Sequence, residues 1–234
     1  MMDIAANYNR VRDQVAIVAQ RCGRRAEDLT IVCAAKTKGP EAVRAAIAAG
    51  ATDIGENYVQ EAREKIVQVP DPAHWHLIGH LQRNKAKEAV RLFTLIHSLD
   101  TAALAQELDR QGQKQGKIVR VLIEVNLAGE QTKGGIAPAQ IEPLLVAVSA
   151  LPSLRVDGFM TIPPPGPNAE ASRPYFQELA RLRERYARFQ TANITLRELS
   201  MGMTDDYQIA IEEGATIVRI GRAIFGERQA GERQ

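Results

Sequence analysis

Two amines stand two positions apart where the apolar run IVCAAKTKG (residues 31–39) gives out. A lysine leaving a buried strand is partly stripped of water, which disfavours its ammonium form and supplies a free, nucleophilic amine. Lys36 is the amine so placed, and Lys38 beside it acts in the same sense as a like charge. Near the other end, SMGM (200–203) and RIGRAIFG (219–226) combine a hydroxyl at Ser200 with glycines at 202 and 221, which allow close backbone approach to an anion. A helix starting just after Gly221 would turn its first N–H groups toward the same anion. Other groups have a plainer reading. His74 and His76 have the spacing of a strand-borne metal pair. A metal-dependent barrel hydrolase needs further histidines and an aspartate at later strand ends, and only His80 and His97 remain, so structural or hydrogen-bonding roles are expected. Asp205 and Asp206 are expected to stabilise the first turn of a helix through its dipole. Met201 and Met203 alternate as packing residues do, with Met201 able to reach a ligand.

The elements that must position these groups follow from the hydrophobic pattern. Apolar runs at 29–35, 52–56, 74–79, 95–100, 118–126, 155–160, 195–200 and 216–221 read as strands. Helical patterns such as PEAVRAAIAAG, VQEAREKIVQV, NKAKEAVRLF, AALAQELDRQGQK, PAQIEPLLVAVSA, PYFQELARLRERYARF and TDDYQIAIEEG separate them. Pro40 and Pro138 stand near helix starts, with Gly50 and Gly214 just past helix ends. Strands joined by helical crossovers imply a parallel sheet, and eight of them in a chain of this length fit a single (β/α)8 TIM-type barrel with an extra N-terminal helix. The competing doubly wound sheet calls for a glycine fingerprint after its first strand, and VCAAKTKGPEA carries none. The barrel is expected to span residues 1–226, with 227–234 a polar tail and no second β domain.

Barrel chemistry comes from the C-terminal strand ends and the loops that follow them. There the sequence places Lys36, Glu56–Asn57–Tyr58, Gly79–His80, Asp100, Asn126, Met160–Thr161, Ser200–Met201–Gly202 and Arg219–Gly221–Arg222. Phosphate sites of such barrels are commonly built after strands 7 and 8, where SMGM and RIGR fall. A lysine amine across the mouth from an anion site suits pyridoxal phosphate, with its aldehyde and its phosphate. An arginine such as Arg219 beside the pyridine nitrogen would keep that nitrogen unprotonated, because two positive charges repel.

Composition narrows the setting. Lys and Arg number 30 against 28 Asp and Glu, a balance that gives no reason to expect a nucleic-acid or anionic-membrane surface. The basic stretch RPYFQELARLRERYARF (173–189) also carries glutamates and apolar residues, and reads as an amphipathic helix with a solvated face. Cys22 and Cys33 match no metal or redox spacing and suit a reducing, cytoplasmic compartment. The first 25 residues lack a signal-peptide core, and Asp3 and Asp13 argue against an import presequence.

The segments AAKTKG (34–39), GENYVQEAREK (55–65), WHLIGHLQRNK (75–85), IHSLDT (96–101), EVNLAGEQTKGGI (124–136), GFMTIPP (158–164) and LSMGMTDDYQIAIEEGATIVRIGRAIFG (199–226) together carry a specific likeness. Across nearly its whole length the chain resembles the pyridoxal phosphate homeostasis protein family, which shares the alanine-racemase-like, fold-type III barrel. The resemblance implies pyridoxal 5′-phosphate bound as an internal aldimine on Lys36. It places Ser200, Met201, Gly202, Gly221 and Arg222 at the phosphate, Arg219 at the pyridine nitrogen and Asn57 near the ring. Relatives often carry a hydroxyl residue where this chain has Arg222. The resemblance implies a cofactor carrier without established turnover, acting as a monomer in vitamin B6 homeostasis and passing cofactor to apo-enzymes. An amino-acid racemase-like enzyme is the alternative reading. A Schiff-base lyase of the aldolase type is disfavoured, since its lysine normally stands on a later strand. Lys38 and Lys133, in QTKGG, read as secondary or mobile surface amines.

Overall fold

The computed structural model describes residues 3–130 and 133–227. Eight parallel strands close a barrel in chain order: β1 (Thr30–Ala34), β2 (Asp53–Glu56), β3 (His74–Leu77), β4 (Leu95–Leu99), β5 (Val119–Glu124), β6 (Leu154–Met160), β7 (Ile194–Ser200) and β8 (Ile217–Ile220). Closure is direct, with β8 pairing β1 at Thr30↔Ile217 through Cys33↔Ile220. Each expected strand is present, with ends displaced by a residue or two. The expected tail beyond residue 227 lies outside the described residues.

The helices α1 (Ile4–Arg21), α2 (Pro40–Ala48), α3 (Val59–Gln68), α4 (Ala86–Leu92), α5 (Ala102–Gln115), α6 (Ile141–Ser149), α7 (Arg173–Tyr186), α8 (Tyr207–Glu212) and α9 (Arg222–Phe225) form the outer layer. In α7 the buried residues Phe176, Leu179, Leu182 and Tyr186 recur at helical spacing, and its arginines remain outside. Burial of side chains of this size stabilises by about 1.5–3 kcal/mol each. Among the described residues only the short α9 follows β8, and α1 packs against α2, α8 and α9. The Asn7 side-chain amide donates to the Ile224 carbonyl (3.1 Å), and the Tyr8 hydroxyl donates to that of Gly50 (3.2 Å). The extra N-terminal helix thus covers the β8–β1 seam, which a four-residue α9 is too short to cover.

Two apolar layers result. The larger lies between strands and helices; the smaller fills part of the barrel interior with Val32, Ile78, Leu95, Leu122, Met160 and Ile217. The rest of the interior is polar. Asp157 is held between Arg120 and Arg155, and His76, His97, Ser200 and Arg219 are all buried. Strand spacing is tight where β6 shifts register: a Cβ on Gly158 would stand 1.9 Å from the Glu198 carbonyl oxygen.

Cys22 and Cys33 are free thiols, and burial pushes Cys33 up to about 12, which makes it inert as a nucleophile. Among the described residues no helix is long and apolar enough to cross a membrane.

Candidate functional site at the barrel mouth

Lys36 stands in the turn that follows β1, half-buried, two residues beyond the last strand position. The turn closes when the Lys38 amide donates to the Ala35 carbonyl (3.0 Å). Thr37 takes φ +64°, a left-handed conformation that a β-branched residue adopts at a cost of about 1–3 kcal/mol. Its neighbours hold it there. Lys65, buried on α3, donates to the Ala35 carbonyl (2.8 Å) and to Glu56 Oε1 (2.7 Å), and Glu61 Oε2 accepts from the Thr37 amide (3.3 Å). A second buried amine therefore supports the turn that presents the first. Lys38 points elsewhere, donating to the Glu227 carbonyl (3.1 Å) at the surface.

Register brings the other groups alongside. Ala34 pairs with Gly55, so Lys36 and Asn57 occupy matching positions past the ends of β1 and β2. Cys33 pairs with Ile220, which sets Gly221 and Arg222 against the other side of β1. Ser200 pairs with Ile217, and the Arg219 amide donates to the Gly202 carbonyl (3.0 Å), so the loops after β7 and β8 lie side by side. Gly202 has φ +90°, and a Cβ there would meet the Ala210 Cβ at 2.5 Å; only glycine suits this corner. The amides of Gly202, Gly221 and Arg222 make no hydrogen bond among the described residues. The run after Gly221 is helical, as expected.

Several side chains in these loops turn away from the mouth. Met201 is buried in the outer apolar layer. Arg222 is exposed and paired with Asp205 and with Glu227 (3.3 Å), so its backbone remains at the loop and its guanidinium does not. The helix expected from Thr204 starts at Tyr207, because TDD forms a turn. Asp206 spends one oxygen on the Met203 amide (2.7 Å) and the other on the Ser172 hydroxyl (2.7 Å). It ties loops together and makes no cap bond to α8. The Ser200 hydroxyl is wholly buried and faces inward, where it takes a hydrogen bond from Arg219 Nη1 (2.6 Å).

Arg219 itself is fixed from below, since its Nη2 also donates to the Thr161 carbonyl (3.0 Å). Burial brings it down to about 10, which leaves it a cation at neutral pH, with Glu124 and Asp206 supporting the charge. Burial raises the Glu124 carboxyl, as does the charge of Asp100, while Arg219 and His80 act in the opposite sense. The glycine loop after β5 crosses this carboxylate: a Cβ on Gly134 would come within 3.3 Å of Glu124 Oε2. On the same loop Lys133 pairs with Glu130 (2.9 Å). Beside the mouth, Asn57, Tyr58 and His80 line a cleft of about 730 Å³ between the loops after β2 and β3.

Glu124 and Lys65 escaped the sequence reading, and Glu56 stood in it only as a strand-end residue without a role. Glu56 and Lys65 belong to GENYVQEAREK, where a nine-residue separation across a strand end and a helix gives no periodic signal. Glu124 ends an apolar strand, and that buried charge was the one available clue. His76 hydrogen-bonds Asp53 at 2.9 Å, and His74 approaches the same carboxylate oxygen at 3.4 Å. Among the described residues no three His, Cys, Asp or Glu side chains converge as metal ligands.

Comparison with known proteins agrees with this architecture. The profile of the alanine racemase N-terminal domain matches residues 6–229. The pyridoxal phosphate homeostasis protein of Aquifex aeolicus is 42% identical over 229 residues, covering 97% of this chain and all of that one. Its namesake in Escherichia coli K12 is 39% identical over 232 residues, covering 97% of this chain and 98% of the other. Among solved structures, PipY of Synechococcus elongatus with PLP bound superposes with a TM-score of 0.85 at 33% identity, covering 95% of this chain and 100% of PipY.

Proposed function

The chain belongs to the alanine racemase N-terminal domain family, and on that footing we propose that it binds pyridoxal 5′-phosphate through Lys36 and acts in the cytoplasm to hold and supply that cofactor. The observation that carries this reading is the register around β1. It sets an amine-bearing turn between Asn57 on one side and the paired Gly202 and Gly221 loops on the other. The bound cofactor supplies an aldehyde for an amine and a phosphate for an anion site.

The residues present fit that group. Gly202 leaves a corner that no Cβ can enter, and the amides of Gly202, Gly221 and Arg222 are ready donors for phosphate oxygens. The Ser200 hydroxyl is turned inward, and Met201 lies in the outer apolar layer with its amide donated to the Ile217 carbonyl (3.1 Å), so the part of these two residues is to position the Gly202 corner. Arg222 acts through its amide while Asp205 and Glu227 hold its guanidinium. Asn57 borders the ring. Arg219, anchored on Ser200 and Thr161, would meet the ring nitrogen with its remaining N–H donors, and its charge would keep a proton off that atom. An unprotonated ring withdraws electrons weakly, which suits storage and release to apo-enzymes by a monomeric carrier.

The test is spectroscopic. Purified protein mixed with pyridoxal phosphate is expected to show a visible absorption band above that of the free cofactor, and Lys36→Ala to lose it. Retention of the band in Lys36→Ala would remove Lys36 as the anchor. Exchange of an amino-acid α-proton at an enzymic rate would replace the carrier reading with a racemase-like one.

A further inference from the structure

Beneath Arg219 the barrel interior contains an unbroken file of polar side chains running toward the opposite end of the strands. Arg219 Nη1 donates to Ser200 Oγ at 2.6 Å. Ser200 Oγ is 2.9 Å from His97 Nδ1, and His97 Nε2 is 2.9 Å from His76 Nδ1. His76 Nε2 is 2.9 Å from Asp53 Oδ1, at the start of β2. Asp53, His74, His76, Arg120 and Glu198 border a cavity of about 290 Å³ at that end. From Arg219 to Asp53 the file draws on five strands, β8, β7, β4, β3 and β2.

Taking both imidazoles as neutral, a count of protons gives these hydrogen bonds one direction. A guanidinium only donates, and a carboxylate only accepts. His97, wholly buried beside His76 and Arg219, is held well below the ordinary histidine range and stays neutral. Asp53 is pushed up by burial, but the hydrogen bonds of His76 and Thr52 bring it below its ordinary value, so it is a carboxylate. With one proton on each imidazole, the carboxylate takes the His76 Nε2 proton. His76 Nδ1 is then bare and accepts from His97 Nε2. His97 Nδ1 is bare in turn and accepts the Ser200 hydroxyl proton, while Ser200 Oγ accepts from Arg219. Every contact has one donor and one acceptor. A second proton on His76 would reverse the whole file and leave the Ser200 proton without one of these acceptors.

Resting on the cofactor reading above, we propose that His76, His97 and Ser200 are positioning residues: a hydrogen-bond relay of one polarity, anchored on Asp53, that holds the Arg219 guanidinium rigid beneath the ring nitrogen. The relay acts through Arg219 and touches no cofactor atom. It also commits the Ser200 hydroxyl proton inward, which removes it as a phosphate donor.

Two measurements test this, the first without cofactor. Nitrogen-15 spectra of the wild-type histidines are expected to show Nε2 protonated and Nδ1 bare in both His76 and His97 at neutral pH. They are also expected to show separate, slowly exchanging Nη lines for Arg219. A protonated Nδ1 on His97, or a freely rotating Arg219, would overturn the relay whether or not the protein binds pyridoxal phosphate. The second is a double-mutant cycle on cofactor affinity. Ser200→Ala and His97→Leu should each weaken binding about 5–10-fold while retaining the visible band, and the double variant should be no weaker than either alone. Multiplying effects would show two independent sites and refute the relay. Absence of the band in wild type would defeat the cofactor reading, leaving the tautomer test to decide the relay.

Discussion

At the scale of single residues, the site depends on buried charges that support one another. Lys65 holds the Ala35 carbonyl and Glu56 at once, so removing its amine leaves a buried carboxyl group without its partner and frees the Lys36 turn. Lys65→Met is expected to cost about 3–5 kcal/mol in urea unfolding, the usual penalty for breaking a buried pair from one side. Glu56 adds a pH dependence. Burial raises its carboxyl from 4.5 to about 7, against the pull of Lys65. The folded chain then holds a proton that the unfolded chain has lost, so this contribution is full below pH 4.5 and disappears as pH rises through about 7. Glu56→Gln should flatten the stability profile between pH 5 and pH 8; an unchanged slope would mean another group sets it. Little of this was legible in the sequence. Lys36 drew attention because a strand ended on it, and its role came from resemblance. The histidine file was visible only as an H-x-H pair, because barrel closure is what carries His97 and Ser200 to it.

At the scale of elements, the sequence was far more informative, because strand and helix periods are local. The run IVRVLIEVN contains β5, and RELS leads to the end of β7 where Ser200 stands. Capping and turn details were less legible: TDD reads like a helix start, yet Asp206 finds better partners in the Met203 amide and the Ser172 hydroxyl. Two predictions belong here. Phe176, wholly buried on α7, should cost about 3–5 kcal/mol when cut to alanine, read by chemical denaturation with cofactor-binding stoichiometry unchanged. Gly202→Ala should act the other way round. The added methyl strikes Ala210 and Tyr207 at the anion corner, so pyridoxal phosphate affinity should fall at least tenfold while the barrel still folds. Titration of the visible band against cofactor concentration checks it.

At the scale of the whole molecule, the barrel is the device that assembles the site. Lys36 and Arg219 are 183 positions apart in sequence (219 minus 36) and come to the same seam only because β8 closes on β1, where Arg219 pairs with Val32. The α1 helix covers that seam, through Asn7 on α9 and Tyr8 on the turn after α2. The eight-strand count made this closure readable, whereas the covering role of α1 required knowing that α9 is only four residues long. The most direct measurement of the central claim is borohydride reduction of the protein mixed with pyridoxal phosphate, followed by peptide mass mapping. The account predicts one stable pyridoxyl adduct per chain, on Lys36, at substoichiometric cofactor. An adduct concentrated on Lys38, Lys65 or Lys133, or spread over surface lysines, would contradict it.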